Sequence, residues 1–241
     1  MIPILYKYHK FDCEGYLFQL LESHSFYMAP RTTMNDIYDC YFRLSKKYIR
    51  NHLTKGKSNW FTKLLLNNDK AQFLLHMDFL SRGFNPGILC FTEHSDNDIL
   101  WAYYTNSFKG VCLGFDFNNE DANFLKQLKK IRYTNNFTID NEEDLSILPF
   151  RKKKVYKHEN EWRIAHNESK HKQPFNISSL KNIYFGIKSK QKDILQTMDI
   201  CESCGYKLTY HKMVLNFNHN NISFKTTNRE DIQKTWSDIL N

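Results

Sequence analysis

Two glutamates, Glu159 and Glu161, stand two positions apart in the segment His-Glu-Asn-Glu-Trp-Arg at residues 158–163. In an extended strand alternate side chains share a face, so Glu159, Glu161 and Arg163 would lie together. Trp162 would then turn towards the core. On a helix the two carboxylates would be about 200° apart and could not act together. This glutamate pair therefore predicts carboxylate chemistry on the condition that the segment forms a strand.

Two like charges a few ångströms apart raise the pKa of at least one carboxyl group unless a cation compensates, and Arg163 is placed for that role. Carboxylates tuned in this way serve general acid–base catalysis or stabilise an oxocarbenium-like transition state. A solvated row of ion pairs on a strand is the competing interpretation. The residues alone leave both open.

Aromatic and cationic residues elsewhere could complete such a site. Trp-Ala-Tyr-Tyr at 101–104 offers flat rings with hydroxyl groups, suited to stacking on a nucleobase or nicotinamide, although aromatic residues at helical spacing more commonly pack in a core. Lys7 stands between Tyr6 and Tyr8 on a short apolar strand. Its amine could meet a phosphate or a ribose, or reach past the edge of the sheet. Both features are candidate ligand contacts with a structural alternative.

A metal centre is not expected. Cys201 and Cys204 have Cys-x-x-Cys spacing, but the chain has no second such pair and the downstream histidines do not fit a zinc finger. We interpret them as packed thiols on a helix that ends at Gly205. Dinucleotide-binding Gly-x-Gly-x-x-Gly, Walker and Gly-x-Ser-x-Gly sequences are also missing, which excludes Rossmann enzymes, P-loop NTPases and ordinary serine hydrolases.

The elements that would position these residues follow from hydrophobic periodicity. Strands are predicted at 4–8, 25–28, 88–91, 110–115, 131–133, 162–164, 183–185 and 208–214. Helices are predicted at 15–23, 99–104, 122–129 and 189–205, with a helical insert at about 41–82 and a surface loop at 135–144. This order predicts an α+β fold with a central mixed or split β-sheet, in a single domain over residues 1–241.

The composition of 41% hydrophobic and 25% charged residues in 241 is typical of a globular protein. No apolar run approaches the roughly 20 residues of a membrane span, and the first residues lack the pattern of a signal peptide. No membrane association and a cytoplasmic location are therefore expected, with most of the six cysteines as buried free thiols. The net charge of +8 is spread along the chain. It includes basic clusters at 46–57, 126–132 and 151–154, which are either solvated surface or sites for polyanions.

Five blocks of sequence occur in the order seen in one bacterial family. They are Leu-Tyr-Lys-Tyr at 5–8, Met-Asn-Asp-Ile-Tyr-Asp-Cys at 34–40, Gly-Ile-Leu-Cys-Phe at 87–91, the run 101–115 and the run 159–164. Over nearly its whole length the chain resembles the family catalogued as domain of unknown function twenty-nine seventy-one. That family usually has Phe-Asn-Asp-Pro-Phe-Asp where this chain has Met-Asn-Asp-Ile-Tyr-Asp at 34–39. The loop is therefore expected to have a different shape here.

A second, weaker resemblance is to the ADP-ribosyltransferase fold. It rests on the order of an early Leu-Tyr-Lys-Tyr strand, central aromatic residues and a late Glu-x-Glu strand. The resemblance implies that Tyr103 or Tyr104 stacks on nicotinamide and that Glu161 is the catalytic carboxylate, assisted by Glu159. Lys7 stands where a histidine often holds the nicotinamide-side ribose, and a charged amine cannot accept the hydrogen bond that a neutral imidazole accepts. The other substrate-binding residues expected are Tyr6, Tyr8, Asn35, Asp36, Trp101 and Arg163.

The function that this resemblance implies is binding of a nicotinamide dinucleotide, NAD, and cleavage or transfer of its ADP-ribose, as in a toxin or phage-defence effector. NAD would be a substrate, and no metal is expected. Nicotinamide would leave a water-poor cleft while Glu161 stabilises the cationic sugar and a nucleic-acid or protein acceptor attacks. The alternatives are a non-catalytic regulatory or interaction module of a bacterial defence system, and a nucleic-acid-binding protein or nuclease. An inhibitor or partner protein is also expected.

Overall fold

The computed structural model describes residues 1–12, 14–53, 60–81, 85–141, 146–167, 169–216 and 221–240. Within these ranges the chain has an α+β fold with a mixed central sheet and several helices, which confirms the predicted fold class. Parts of the expected insert, at 54–59 and 82, and of the expected loop, at 142–144, lie outside the described residues. No described helix is both long enough and apolar enough to cross a membrane.

The strands are β1 Leu5–His9, β2 Ser25–Tyr27, β3 Ala29–Pro30, β4 Arg43–Leu44, β5 Gly87–Thr92, β6 Val111–Phe115, β7 Lys129–Lys130, β8 Arg132–Tyr133, β9 Thr138–Ile139, β10 Arg151–Lys152, β11 Glu161–His166, β12 Lys172–Pro174, β13 Leu180–Phe185, β14 Thr209–Asn216 and β15 Asn221–Thr227. The α-helices are α1 Tyr16–Ser23, α2 Lys46–Tyr48, α3 Trp60–Asn67, α4 Asp69–Ser81, α5 Asp98–Tyr104, α6 Ala122–Gln127, α7 Gln191–Ser203 and α8 Arg229–Leu240.

Nine of the described strands form the central sheet: eight lie in the order β15-β14-β13-β6-β1-β5-β11-β7, and β3 also pairs with β5. Neighbouring strands run antiparallel, except that β13 and β14 are parallel and are connected through α7. Parallel strands need such a crossover because a tight turn can only reverse the chain. Three short pairs complete the described sheets: β10 with β8, β12 with β2, and β4 with β9.

The central sheet opens between β1 and β5. Strand β1 pairs with β6 along the whole of Leu5–His9, whereas the described ladder joins it to β5 at a single pair, Tyr6 with Thr92. The ammonium of Lys7 spans the gap by donating a hydrogen bond to the carbonyl oxygen of Cys90 at 3.3 Å. This opening leaves room for a ligand between two central strands.

One face of the sheet carries the main hydrophobic core. Leu5, Phe91 and Ile164, from three neighbouring strands, are buried there. Helices α1 and α7 cover this face with residues that include Leu21 and Met198. Burial of each such side chain stabilises the fold by about 1.5–3 kcal/mol. The core therefore anchors the three strands that border the opening.

The opposite face carries polar and aromatic side chains. Because side chains alternate along a strand, Tyr6 and Tyr8 of β1 emerge here, and so does Glu161 of β11, which is in register with Thr92. Helix α5 packs on this face through the fully buried Trp101, whose ring centroid lies 5.3 Å from that of Tyr8. This is the face that can hold a site.

Several segments differ from the prediction. The helix expected to reach Lys129 ends at Gln127, and Lys129 begins β7, which pairs with β11. The expected loop at 135–144 contains β9, which pairs with β4. Strand β15 and helix α8 were not predicted. These elements are short or polar and are stabilised by their partners in the fold, so local periodicity does not reveal them.

The cysteines in the described ranges are free thiols, as predicted for most of them, and Cys13 lies outside those ranges. Cys40, Cys112 and Cys201 are buried. Helix α7 ends just before Gly205, whose φ of 77° is the left-handed value that glycine adopts without strain.

Candidate active site

The segment around the glutamate pair differs from the prediction at one end. Strand β11 begins at Glu161, and Lys154–Glu159 form a 3-10 helix. Asn160 joins them with a left-handed backbone, φ 40° and ψ 54°, which asparagine tolerates better than most residues. Glu159 therefore does not alternate with Glu161 on a strand. The predicted alternation holds only from Glu161 onwards, where Trp162 packs on the core face.

Lys152 nevertheless holds the glutamate pair together. Its ammonium donates to Glu159 Oε2 at 2.5 Å and to Glu161 Oε2 at 3.0 Å. It reaches them because β10 pairs with β8, which places Lys152 beside Tyr133. Only 2% of its side chain is exposed. Both carboxylates thus share one buried cation.

Arg163 forms the other half of the network. Its Nε and Nη2 donate to the two carboxylate oxygens of Glu161 at 2.7 and 3.1 Å. Its Nη1 donates to Asp39 Oδ1 at 2.7 Å and to the carbonyl oxygen of Pro149 at 2.8 Å. The guanidinium is completely buried. The buried charged groups form one chain of alternating sign: Asp39, Arg163, Glu161, Lys152 and Glu159.

The two glutamates of the pair differ in pKa. Burial acts to raise the pKa of Glu161, but the charges of Arg163 and Lys152 outweigh it and lower the pKa to about 2. Burial raises the pKa of Glu159, and the attraction of Lys152 offsets this only in part. Environments that separate two pKa values in this way can divide acid and base roles. Glu161 stays ionised at neutral pH, and Glu159 is the weaker acid of the pair.

A pocket of about 230 Å³ lies on this face, at the opening between β1 and β5. Seven of the eleven predicted site residues line it: Tyr6, Lys7, Tyr8, Asn35, Tyr104, Glu159 and Glu161. Four stretches that are distant in the chain thus contribute to one cavity: residues 6–8, Met34 and Asn35, three residues of 88–91, and Tyr104. The arrangement places two carboxylates and two lysines within a wall rich in aromatic rings.

Helix α5 explains which of its aromatic residues reach the pocket. Leu100 and Tyr104, four positions apart, lie on the same side of the helix and line the cavity. Tyr103 is 77% exposed and points away from it. Trp101 is buried, and its indole N–H donates to the carbonyl oxygen of Ser95 at 2.7 Å. Of the two tyrosines that the resemblance proposed for stacking, only Tyr104 is in place.

The loop after the 3-10 helix Arg31–Thr33 supplies one polar contact to the pocket. The side-chain amide of Asn35 donates to the hydroxyl of Tyr104 at 2.8 Å. Asp36 is buried, does not line the cavity, and accepts a hydrogen bond from the backbone N–H of Tyr38 at 2.9 Å. Asp36 therefore shapes the loop and is not part of the pocket lining. Arg163 likewise lies outside the lining and contacts Glu161.

Lys7 is the second cation of the pocket. Its ammonium lies 5.8 Å from the ring centroid of Phe91 as well as bonding to Cys90. Burial lowers the pKa of Lys7, although the charges of Cys90 and Glu161 oppose the shift. A lysine offers donors only. It can therefore bind a ribose hydroxyl or a phosphate oxygen, but it cannot accept a proton while charged.

Sequence reasoning missed Lys152, Asp39 and Tyr133 as parts of the site. Tyr133 accepts a hydrogen bond from the backbone N–H of Glu161 at 2.8 Å. Lys152 belongs to the basic run 151–154, for which the sequence suggests either solvated surface or a site for polyanions and not a buried ion pair. The signal that could have revealed it is a run of cations a few residues before two carboxylates, since buried carboxylates need a cation.

Comparison with known proteins identifies no relative of this chain. No family model, curated protein or solved structure matches the chain. The resemblances to the bacterial family and to the ADP-ribosyltransferase fold therefore stay predictions.

Acid is expected to remove the stabilisation that the ion pairs of Glu161 provide. The pKa of its carboxyl group is lowered from an ordinary 4.5 to about 2 in the folded chain. The ionised form therefore stabilises the fold above pH 4.5, and this contribution is lost as the pH falls towards 2. The stability difference between the wild type and Glu161→Gln should shrink by about 3 kcal/mol across this window.

Urea unfolding of both proteins at neutral pH and at about pH 3 measures this change, because more than half of the effect is expected by then. The comparison with Glu161→Gln cancels the titration of all other carboxyl groups that the two proteins share. If the wild type and Glu161→Gln differ in free energy of unfolding by the same amount at both pH values, Glu161 is not held ionised by its partners.

Proposed function

We propose that the chain is an ADP-ribosyltransferase-like enzyme of the bacterial family described above, which binds NAD and cleaves or transfers its ADP-ribose. The observation that carries the proposal is the meeting of Lys7, Tyr104 and the glutamate pair at one pocket. The resemblance had singled out these residues from three distant stretches of the chain. Unrelated surface residues have no physical reason to share a cavity at a break in a central sheet.

The size of the pocket limits what it can enclose. Its volume of about 230 Å³ is below the roughly 300–1,000 Å³ of sites that bury drug-sized ligands. It therefore suits one end of the dinucleotide, the nicotinamide with its ribose, and leaves the remainder at the mouth. This end contains the bond that the proposed reaction breaks.

Each group of the pocket has a role in the proposed reaction. Tyr104 stacks on nicotinamide, and Lys7 donates a hydrogen bond to a ribose hydroxyl or a phosphate oxygen. As the bond between ribose and nicotinamide breaks, its electron pair leaves with nicotinamide and positive charge develops on the sugar. The ionised Glu161 stabilises that charge. Glu159, with its raised pKa, accepts the proton of the water or acceptor hydroxyl that attacks.

A second candidate function is a non-catalytic module that uses the pocket for binding only. It is favoured by one observation: both carboxylate oxygens of Glu161 already accept hydrogen bonds from Arg163 or Lys152. A substrate would have to compete with these ion pairs for the carboxylate. A module of this kind would bind the dinucleotide without releasing nicotinamide.

The test of the proposed function is the release of free nicotinamide from NAD by the purified protein, compared between Tyr104→Ala and Tyr103→Ala. Both variants lose one tyrosine from α5, but only Tyr104 lines the pocket. Tyr104→Ala is expected to lower kcat/KM by about 5- to 150-fold, because stacking on a base contributes about 1–3 kcal/mol. Tyr103→Ala should leave kcat/KM unchanged.

Three outcomes decide between the candidates. Nicotinamide release that depends on Tyr104 and not on Tyr103 supports the enzyme. Binding of NAD without release, measured by calorimetry, favours the non-catalytic module. Equal losses in the two variants, or neither binding nor release in the wild type, would remove the dinucleotide from the proposal.

A further inference from the structure

We infer that the protein has a docking surface for single-stranded nucleic acid beside the pocket. The surface consists of Lys129, Arg132, Lys153, Lys154 and Lys157, which we call the basic face. This inference goes beyond the proposed function, because such a partner would bind whether or not the pocket accepts NAD.

Folding assembles the basic face from two separate clusters of the sequence. Strand β7 lies next to β11 at the edge of the central sheet. Strand β8 pairs in parallel with β10, so that Arg132 lies opposite Arg151. The 3-10 helix Lys154–Glu159 packs against β8. Cations from the clusters at 126–132 and 151–154 therefore share one surface, which the sequence order does not show.

The cations of the basic face are available to a partner. All of them are exposed except Lys153, which is half-buried. None of the five forms an ion pair with any residue in the described ranges. Their neighbour Lys130, by contrast, is paired with Glu93 at 2.6 Å. Uncompensated charges of one sign repel each other, and phosphate groups relieve that repulsion while releasing counterions.

Aromatic rings lie among these cations and indicate a single strand. The ammonium of Lys129 is 5.0 Å from the ring centroid of Phe150, and that of Lys153 is 3.3 Å from the ring centroid of Tyr38. Both rings are partly exposed, as is Tyr156 on the adjoining 3-10 helix. Proteins that bind single strands combine a positive surface with rings on which unpaired bases stack. A duplex keeps its bases stacked inside and cannot use such rings.

The basic face is joined through the chain to residues that line the pocket. Lys153 follows Lys152, and the 3-10 helix that carries Lys154 and Lys157 ends at Glu159. Both Lys152 and Glu159 line the cavity. A strand bound to the basic face would bring a base or a sugar hydroxyl to this point. If the pocket has the proposed function, the bound strand would be the acceptor of ADP-ribose.

Fluorescence anisotropy with a labelled single-stranded DNA of about 12 nucleotides, without NAD, tests the basic face. The triple variant Lys129→Gln, Arg132→Gln, Lys154→Gln is compared with a matched control, Lys192→Gln, Lys207→Gln, Lys225→Gln. The control removes three exposed cations of α7, of the turn after it and of β15. Titration between about 50 and 200 mM salt measures the number of phosphate contacts.

The wild type is expected to bind, and the basic-face variant should raise Kd at least about tenfold while reducing the salt slope by about 2. The control should stay within about twofold of the wild type, because its cations lie outside the basic face. Equal losses in the two triple variants, or no binding by the wild type at about 50 mM salt, would overturn the inference.

The aromatic part of the inference is tested with Tyr156→Leu, which keeps the charge of the basic face. It should weaken binding of the single strand and leave the weaker binding of a duplex of the same sequence unchanged. If a duplex or polyglutamate binds as tightly as the single strand, the basic face attracts polyanions without specificity, which would contradict the proposal. Circular dichroism checks the fold of each variant, and Tyr156→Leu remains decisive if the triple variant unfolds.

Discussion

Replacing Arg163 with methionine is expected to lower the free energy of unfolding by about 3–5 kcal/mol. Methionine fills much of the same volume but removes the guanidinium that pairs with Glu161 and Asp39. The two carboxylates would remain buried without the cation that compensates them. Burial already raises the pKa of Asp39, against the attraction of Arg163. Urea unfolding at neutral pH measures the loss.

Arg132→Met is the matched control for this prediction. Arg132 is an exposed arginine of strand β8, so its replacement should change the free energy of unfolding by no more than about 0.5 kcal/mol. The double variant Arg163→Met, Glu161→Gln should recover part of the loss, because a neutral amide then replaces one buried anion. A loss below about 1 kcal/mol in Arg163→Met would contradict a network of mutually dependent buried charges.

Glu161→Gln is expected to lower kcat for nicotinamide release at least about 100-fold. Glutamine keeps the shape of the side chain but removes the charge that would stabilise the cationic sugar. The charge is present in the wild type at neutral pH. Burial acts to raise the pKa of Glu161, but the charges of Arg163 and Lys152 outweigh it and lower the pKa to about 2. Initial rates at saturating NAD, measured well below the unfolding midpoint of the variant, give the effect on chemistry.

Two control variants compare the effect of Glu161 on kcat with the effects of Glu93, outside the pocket, and of Glu159. Glu93→Gln changes an ion pair with Lys130 outside the pocket and should leave kcat unchanged. In the wild type the rate should rise with pH as Glu159 loses its proton, because burial raises its pKa. Glu159→Gln should abolish this rise. Equal rates in the wild type and Glu161→Gln, with NAD bound by both, would show that Glu161 has only a structural role.

The sequence by itself determined the central strands and helix α5. Compact apolar runs predicted β5 and β6, and the spacing in 99–104 predicted a short helix with Tyr104 near its end. These elements could be predicted because each buries a face that its own hydrophobic pattern displays, over a few consecutive residues. The same local reasoning identified Lys7 as a cation in an otherwise apolar strand and Glu161 as one of two glutamates at alternate positions.

Only the tertiary structure decided which of these residues meet and what surrounds them. Lys152 is buried between the glutamate pair because β10 pairs with β8, and Asp39 reaches Arg163 from a loop more than a hundred residues earlier. Two-residue strands and loops carry no periodic signal, so their partners follow from long-range pairing. The separation of the two pKa values, and with it the division of roles between Glu159 and Glu161, arises from that pairing because charges buried together set each other's protonation.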